Sequence, residues 1–358
     1  MSEFGGPSYG SLTAKAAAVF EQVQSLVQER SGASGPGFGA ASRWRDDALL
    51  HQALNNIKAA AQGLAMTCSK LSLLASKSPS PEALASLLGE FEANLDSVAL
   101  VFTHLTDCSV SAPLFDMISV GVRSQLVRSK EVLEMASGRD FDGLSNAASV
   151  VFKLYDQIQD LPMTNKAAYR RFAMEKLAIV KDTMREFQAY VDAAAAATPT
   201  NSAAADNEDE DEDEEEDDEP YTFEEASVVQ TCLRIMDSAS LLLKAALAIM
   251  TQVADALTPN AAVGEQERAA CEAWVGALCL LIKQCEGNVT NLGAELYAPF
   301  DHDQIRRYRD ELSSTLSQLA RDLADERFGG HLSDASRAMI ADVEASRVAA
   351  DLASVNLN

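Results

Sequence analysis

Histidine and cysteine are the residues that most often bind transition metals or act as nucleophiles and bases, and this sequence scatters them. No two of them stand at the spacing of a metal-binding motif, and neither HExxH nor CxxC is present. A zinc site or a Cys–His catalytic pair is therefore not predicted. The residues considered are His51, His104, His302 and His331, together with Cys68, Cys108, Cys232, Cys271, Cys279 and Cys285.

Motifs for phosphate binding and acyl transfer are also missing. The glycine-rich stretch at residues 35–39 does not match GxGxxG and follows no predicted strand, and no GxSxG sequence is present. The carboxylates that could act in pairs are concentrated in one acidic run. We therefore predict that the protein is not an enzyme, has no catalytic, cofactor-binding or metal-binding residues, and needs no cofactor.

Three short patterns have two interpretations each. Residues 84–88 match LxxLL, which docks helices into receptor grooves, but the same leucines suit the core of a helical bundle. Residues 321–323 match a cyclin-docking pattern inside a predicted helix. Residues 306–309 form the densest basic cluster, which is either a site for an acidic partner or the solvent-facing side of a helix. We favour the structural interpretation for all three patterns.

Residues 208–219 are twelve consecutive acidic residues. Like charges at this density repel each other and stay solvated, so the run cannot belong to a folded core. With a formal net charge of -25, the chain lacks the basic surface that binding to nucleic acid or an anionic membrane requires. We predict neither as a partner, and basic proteins are the partners that this charge favours.

The remaining apolar residues recur at helical spacing, which predicts an all-α protein. Helix starts are predicted at Ser80, Ser111, Thr164 and Asp301, and Thr222 begins a capping box that ends at Glu225. Two predicted helices each have one apolar stripe, and the cysteines of the second stripe are predicted core residues. The first stripe is Ala173, Leu177, Val180, Met184, Phe187 and Val191; the second is Cys271, Trp274, Leu278, Leu281 and Cys285.

Long helices joined by short loops favour antiparallel packing. We predict two antiparallel helical bundles, with a vinculin- or α-catenin-like architecture, joined by an acidic disordered linker. A last helix is expected from Ser333 to about Leu352. The predicted domains are an N-terminal helix with a Gly/Ser-rich linker at residues 1–42, an N-terminal bundle at 43–195, the acidic linker at 196–220 and a C-terminal bundle at 221–358.

The sequence also resembles the cyclin-D-binding protein family, the Maid-like helix-loop-helix proteins that lack a basic region. The resemblance keeps its order along the chain. It rests on NKAA at residues 165–168, VKD at 180–182, the acidic insert at 206–219, the helix at 224–250 and the turn at 296–299.

This resemblance implies a non-enzymatic regulator of the cytoplasm and nucleus that binds D-type cyclins and helix-loop-helix transcription factors and restrains proliferation. It brings no catalytic residues with it, and it assigns no partner-binding residues to positions in this chain. Two other functions stay open at this point. One is a cytoskeletal adaptor of the vinculin or catenin type, and the other is an acidic histone-binding chaperone.

Overall fold

In the computed structural model, the described residues are helical and contain no strand, which confirms the all-α prediction. None of the described helices combines the length and apolar character needed to cross a membrane. The Gly/Ser-rich linker, the acidic run and nearly all of the predicted last helix lie outside the described residues. The described residues are 7–32, 47–75, 77, 80–107, 110–138, 140–196, 221–256 and 264–324, with 338 and 341.

The five helix starts predicted from capping residues, at Ser80, Ser111, Thr164, Thr222 and Asp301, are confirmed. The Ser80 hydroxyl accepts a hydrogen bond from the Ala83 amide at 3.2 Å, and the Thr164 hydroxyl accepts one from the Ala167 amide at 3.1 Å. Each bond satisfies an amide that has no partner inside its own helix. The helices are α1 Tyr9–Gly32, α2 Asp47–Ala75, α3 Pro81–Asp107, α4 Ala112–Gly138, α5 Phe141–Gln159, α6 Asn165–Ala196, α7 Phe223–Ala256, α8 Glu265–Ala294 and α9 His302–Leu323.

Two further caps involve carboxylates. The Asp301 carboxylate accepts hydrogen bonds from the amides of Asp303 and Gln304, the second and third residues of α9, at 3.0 and 3.1 Å. In the predicted capping box, Glu225 accepts from both the amide and the hydroxyl of Thr222, each at 2.8 Å. These bonds stabilise the ionised carboxylate and lower the pKa of Glu225. They fix the start of α7 directly after the acidic run.

The chain divides into two compact units. The first unit contains Met1–Arg171 and Ala254–Ala273, and the second contains Phe172–Val253 and Trp274–Asn358. The predicted domain boundary at 196–220 lies almost entirely outside the described residues. The units instead divide within α6, most of which groups with the later helices, because its apolar stripe is covered by them. The predicted domain limits differ from this division and stay a prediction.

In the first unit, α1 packs on α3 and α4, while α2 packs on α3, α4 and α5. The α4 and α5 helices also pack on each other, in antiparallel orientation: Gly121 lies against Ile158 near one end of the pair, and Gly143 lies against Met135 near the other. The five helices thus surround one apolar core. Its largest fully buried side chains include Phe91, Phe102, Leu54, Leu64, Leu95 and Leu114.

In the second unit, α8 runs parallel to α6. It runs antiparallel to α9, because Trp274 bonds to Asp322 while Asn288, further along α8, bonds to Thr315, earlier in α9. Lys176 of α6 forms an ion pair with Glu286 of α8 at 2.9 Å, and further along the pair Thr183 lies against Gly293. Both predicted stripes are confirmed as core. Ala173, Leu177, Val180, Phe187, Cys271, Trp274, Leu278 and Cys285 are buried, and Met184, Val191 and Leu281 are half-buried.

Candidate partner-binding groove

The described histidines do not assemble into a site. His51 is half-buried on α2, His104 is exposed near the end of α3, and His302 is the exposed first residue of α9. Among the described residues, no group of three or more His, Cys, Asp or Glu side chains could hold a metal ion. His331 lies outside these residues. That the protein lacks catalytic and metal sites stays a prediction.

The described cysteines are core residues. Burial raises the pKa of Cys68 to about 12, that of Cys232 to about 11 and that of Cys285 to about 12. A thiol with such a pKa is almost fully protonated near neutral pH and is a poor nucleophile. Cys271 and Cys279 are also buried, as the stripe predicts for Cys271, and Cys108 lies outside the described residues.

In two of the short docking patterns, the leucines pack inside the protein. In the LxxLL stretch, Leu87 and Leu88 are only 3% and 4% exposed within the core of the first unit, and Leu84 packs partly buried against that core. In the pattern at 321–323, Leu323 is buried and the carbonyl oxygen of Asp322 accepts a hydrogen bond from a neighbouring helix. Neither pattern presents its key leucines to a partner, which confirms the structural interpretation.

The basic cluster at 306–309 is neutralised by acids on the same helix. Arg306 forms an ion pair with Asp303 at 3.3 Å, and Arg307 forms one with Glu311 at 2.9 Å. Arg309 likewise pairs with the next residue, an aspartate. Arg306 and Arg307 lie on the solvent-facing side of α9, as the structural interpretation predicts, while Arg309 is half-buried.

A groove between α6 and α7 brings together residues that are far apart in the sequence. It lies within the second unit and is open to solvent. Its lining residues from α6 are Lys181, Met184, Arg185 and Gln188, and those from α7 are Gln230, Leu233, Arg234 and Asp237.

The groove is positively charged, although the chain has a formal net charge of -25. Within the described part of the chain, neither Lys181 nor Arg234 takes part in an ion pair. Arg185 pairs with Asp182 at 3.0 Å, but both side chains of this pair are more than two-thirds exposed, at 77% and 67%. Exposed pairs of this kind are weak, so Arg185 is available to a ligand. Asp237 is the one acidic residue among the lining residues.

The groove also has an apolar floor. Leu233 is 5% exposed and Met184 is half-buried, so both present limited apolar area between the cations. Methionine is unbranched and adapts to ligands of different shapes. Lys181 and Arg185 lie one helical turn apart on α6, which the sequence reveals, but Arg234 joins the same groove only through the packing of α7. The sequence therefore places two of the three cations together, and the packing of α7 against α6 adds the third.

An aromatic cluster at the junction of α8 and α9 is structural. The phenol of Tyr221 donates to the Leu296 carbonyl at 2.5 Å, and that of Tyr297 donates to Glu186 at 2.5 Å. The Phe187 and Tyr297 rings meet edge to face, with centroids 5.2 Å apart. Burial raises the pKa of the Tyr221 phenol. Because both phenols already have partners, the cluster anchors the start of α7 and the turn at 296–299.

One known family matches part of the chain. Residues 56–193 match the model of the family described as "Grap2 and cyclin-D-interacting, N-terminal". The match supports a cyclin-D-interacting family, as the resemblance predicts. It includes the α6 side of the groove and ends before α7 begins. No curated protein sequence matches the chain significantly.

Proposed function

We propose that this chain is a non-enzymatic regulatory protein that binds a D-type cyclin through its helical surfaces. The family match at residues 56–193 carries the proposal, because cyclin D interaction is the property that names that family. The all-α fold is compatible with it, since helix faces are common docking surfaces for other proteins. Occupying a surface of the partner would lower the partner's activity without any chemical step.

The finer parts of the proposal rest on the sequence. They are a Maid-like helix-loop-helix protein without a basic region, a location in the cytoplasm and nucleus, and helix-loop-helix factors as further partners. The acidic run and the net charge of -25 favour protein partners over nucleic acid. The architecture proposed for it is two antiparallel bundles joined by the acidic linker at 196–220.

The test is direct binding of the purified full chain to a D-type cyclin and to a basic helix-loop-helix factor, with an A-type cyclin as control. We expect the D-type cyclin to bind and the binding to survive deletion of residues 206–219, since the matched region ends before that run. A DNA mobility-shift assay accompanies it. Binding to neither protein, together with a salt-resistant DNA shift, would overturn the proposal.

Exposed leucine and valine residues allow the contact to be mapped. Leu73 and Val120 lie inside the matched region and are 64% and 63% exposed, whereas Leu280 lies outside it and is 56% exposed. A glutamate at any of these positions should be tolerated by the fold, because exposed positions contribute little to stability. Weaker cyclin binding in Leu73→Glu or Val120→Glu, but not in Leu280→Glu, would place the contact in the matched region.

A further inference from the structure

We propose that the groove between α6 and α7 binds a short acidic segment of a partner protein. An apolar side chain of that segment would pack on Met184 and Leu233, and its carboxylates would lie beside Lys181, Arg185 and Arg234. The inference goes beyond cyclin binding and does not depend on it. Any partner with this chemistry would qualify.

The cations support this occupant by their placement on two helices. Lys181 and Arg185 are one turn apart on α6, and Arg234 lines the groove from α7. A carboxylate between them can be approached from both sides, and an arginine can donate two parallel hydrogen bonds to it. The chain's overall negative charge opposes approach only weakly at short range, because charges beyond ~8 Å are screened at physiological ionic strength.

The apolar floor favours an acidic segment with an apolar side chain over a simple anion. Leu233 and Met184 lie among the cations, so a ligand with both charge and an apolar side chain gains from both. Asp237 disfavours a second carboxylate at its own position and so limits how the segment can lie. Nucleic acid would use the cations alone and would leave the apolar floor uncovered.

The experiment uses the full chain and a fluorescein-labelled synthetic peptide in which one leucine is flanked on each side by two glutamates. Fluorescence anisotropy measures its affinity. We expect the double variant K181E/R234E to bind about tenfold or more weakly, because two attractions become repulsions. The matched control is R306E/R307E, which changes the net charge equally on cations of the same unit that are already paired with acids. It should change the affinity less than about twofold.

Two further peptides test the apolar contact. Replacing its leucine with serine should weaken binding by a few-fold, and an all-glutamate peptide should bind no better than the serine peptide. Circular dichroism of each variant confirms that its helices are retained.

Four outcomes would overturn the proposal. Equal losses of peptide affinity in K181E/R234E and R306E/R307E would mean that long-range charge governs binding. Absence of peptide binding to the full chain would mean that the groove does not bind an acidic segment. Binding that appears only after residues 206–219 are deleted would identify the chain's own acidic run as the occupant. A single-stranded DNA oligonucleotide that binds more tightly than the peptide, and is lost in K181E/R234E, would identify nucleic acid instead.

Discussion

The indole nitrogen of Trp274 donates a hydrogen bond to the main-chain carbonyl oxygen of Asp322 at 2.9 Å. Trp274 lies on α8 and is 8% exposed, while Asp322 lies in the last turn of α9. The last carbonyls of a helix have no partner within it, and a buried indole also needs an acceptor. One bond therefore satisfies both groups and joins these two antiparallel helices.

Trp274→Ala should lower the free energy of unfolding by ~3 to 5 kcal/mol, because it removes a large buried side chain and leaves a cavity. Trp274→Phe should cost less than the alanine variant, since it keeps most of the ring but leaves the Asp322 carbonyl without this donor. Urea unfolding followed by circular dichroism measures both. Leu280→Ala, on the exposed side of the same helix, is the control and should stay within about 0.5 kcal/mol of wild type. An unfolding midpoint unchanged in Trp274→Ala would contradict the contact.

Two glycines of α8 should respond in opposite directions to alanine. A Cβ at Gly293 would lie 2.9 Å from Cγ2 of Thr183 and 3.2 Å from Cε2 of Phe187, so these side chains or the α6 backbone would have to shift. Gly293→Ala should therefore destabilise by about 1 to 3 kcal/mol. Gly287 has no atom within 4 Å of its Cβ position, and Gly287→Ala should stabilise by ~0.5 to 1 kcal/mol because alanine favours the helix. Thermal unfolding of the two variants checks the signs. The same sign in both would mean that α6 and α8 do not approach each other at Gly293.

Local features of this fold could be read from the sequence. Caps such as those at Ser80 and Thr164 depend on atoms within three or four residues, so the residue types alone predict them. The apolar stripes were equally accessible, because a periodicity of 3.6 residues identifies the buried face of a helix. The helix starts predicted at Ser80, Ser111, Thr164, Thr222 and Asp301 follow from the first of these two signals, and the buried faces of α6 and α8 follow from the second.

Long-range features could not be read in this way. A stripe such as that of α6 states which face is buried but not which helix covers it, and α6 packs in parallel with α8, which is not its neighbour in sequence. The groove also depends on long-range packing, since Lys181 and Arg234 line the same groove only because α7 lies beside α6. Pairing of the arginines at 306–309 with acids was accessible, since the acids lie within four residues.

The asparagine of the NKAA stretch should be structural rather than partner-binding. Asn165 is 5% exposed, and its side-chain oxygen accepts a hydrogen bond from the Ser111 amide at 2.7 Å, which joins the start of α6 to the start of α4. Asn165→Ala leaves that buried amide without this acceptor and should cost ~1 to 3 kcal/mol. Asn165→Asp keeps an acceptor and should cost less. Thermal unfolding measures the difference, and D-type cyclin binding below the melting temperature should be unchanged. A variant of full stability that has lost cyclin binding would contradict this role.

The buried thiol of Cys68 should make the protein less stable at alkaline pH. Its pKa is raised by burial from the ordinary value of 9.0 to about 12. Above pH 9 the unfolded chain loses this proton while the folded chain keeps it, so the folded state binds more protons and stability falls as the pH rises. Unfolding in urea at roughly pH 8 and pH 10 measures the fall for wild type and for Cys68→Ala, and the alanine variant should lose less, by up to about 1.4 kcal/mol per pH unit. Ser86→Ala, an exposed and non-titrating change on α3, is the control and should retain the wild-type pH dependence. Equal losses in wild type and Cys68→Ala would show that this thiol titrates at the same pH in both states.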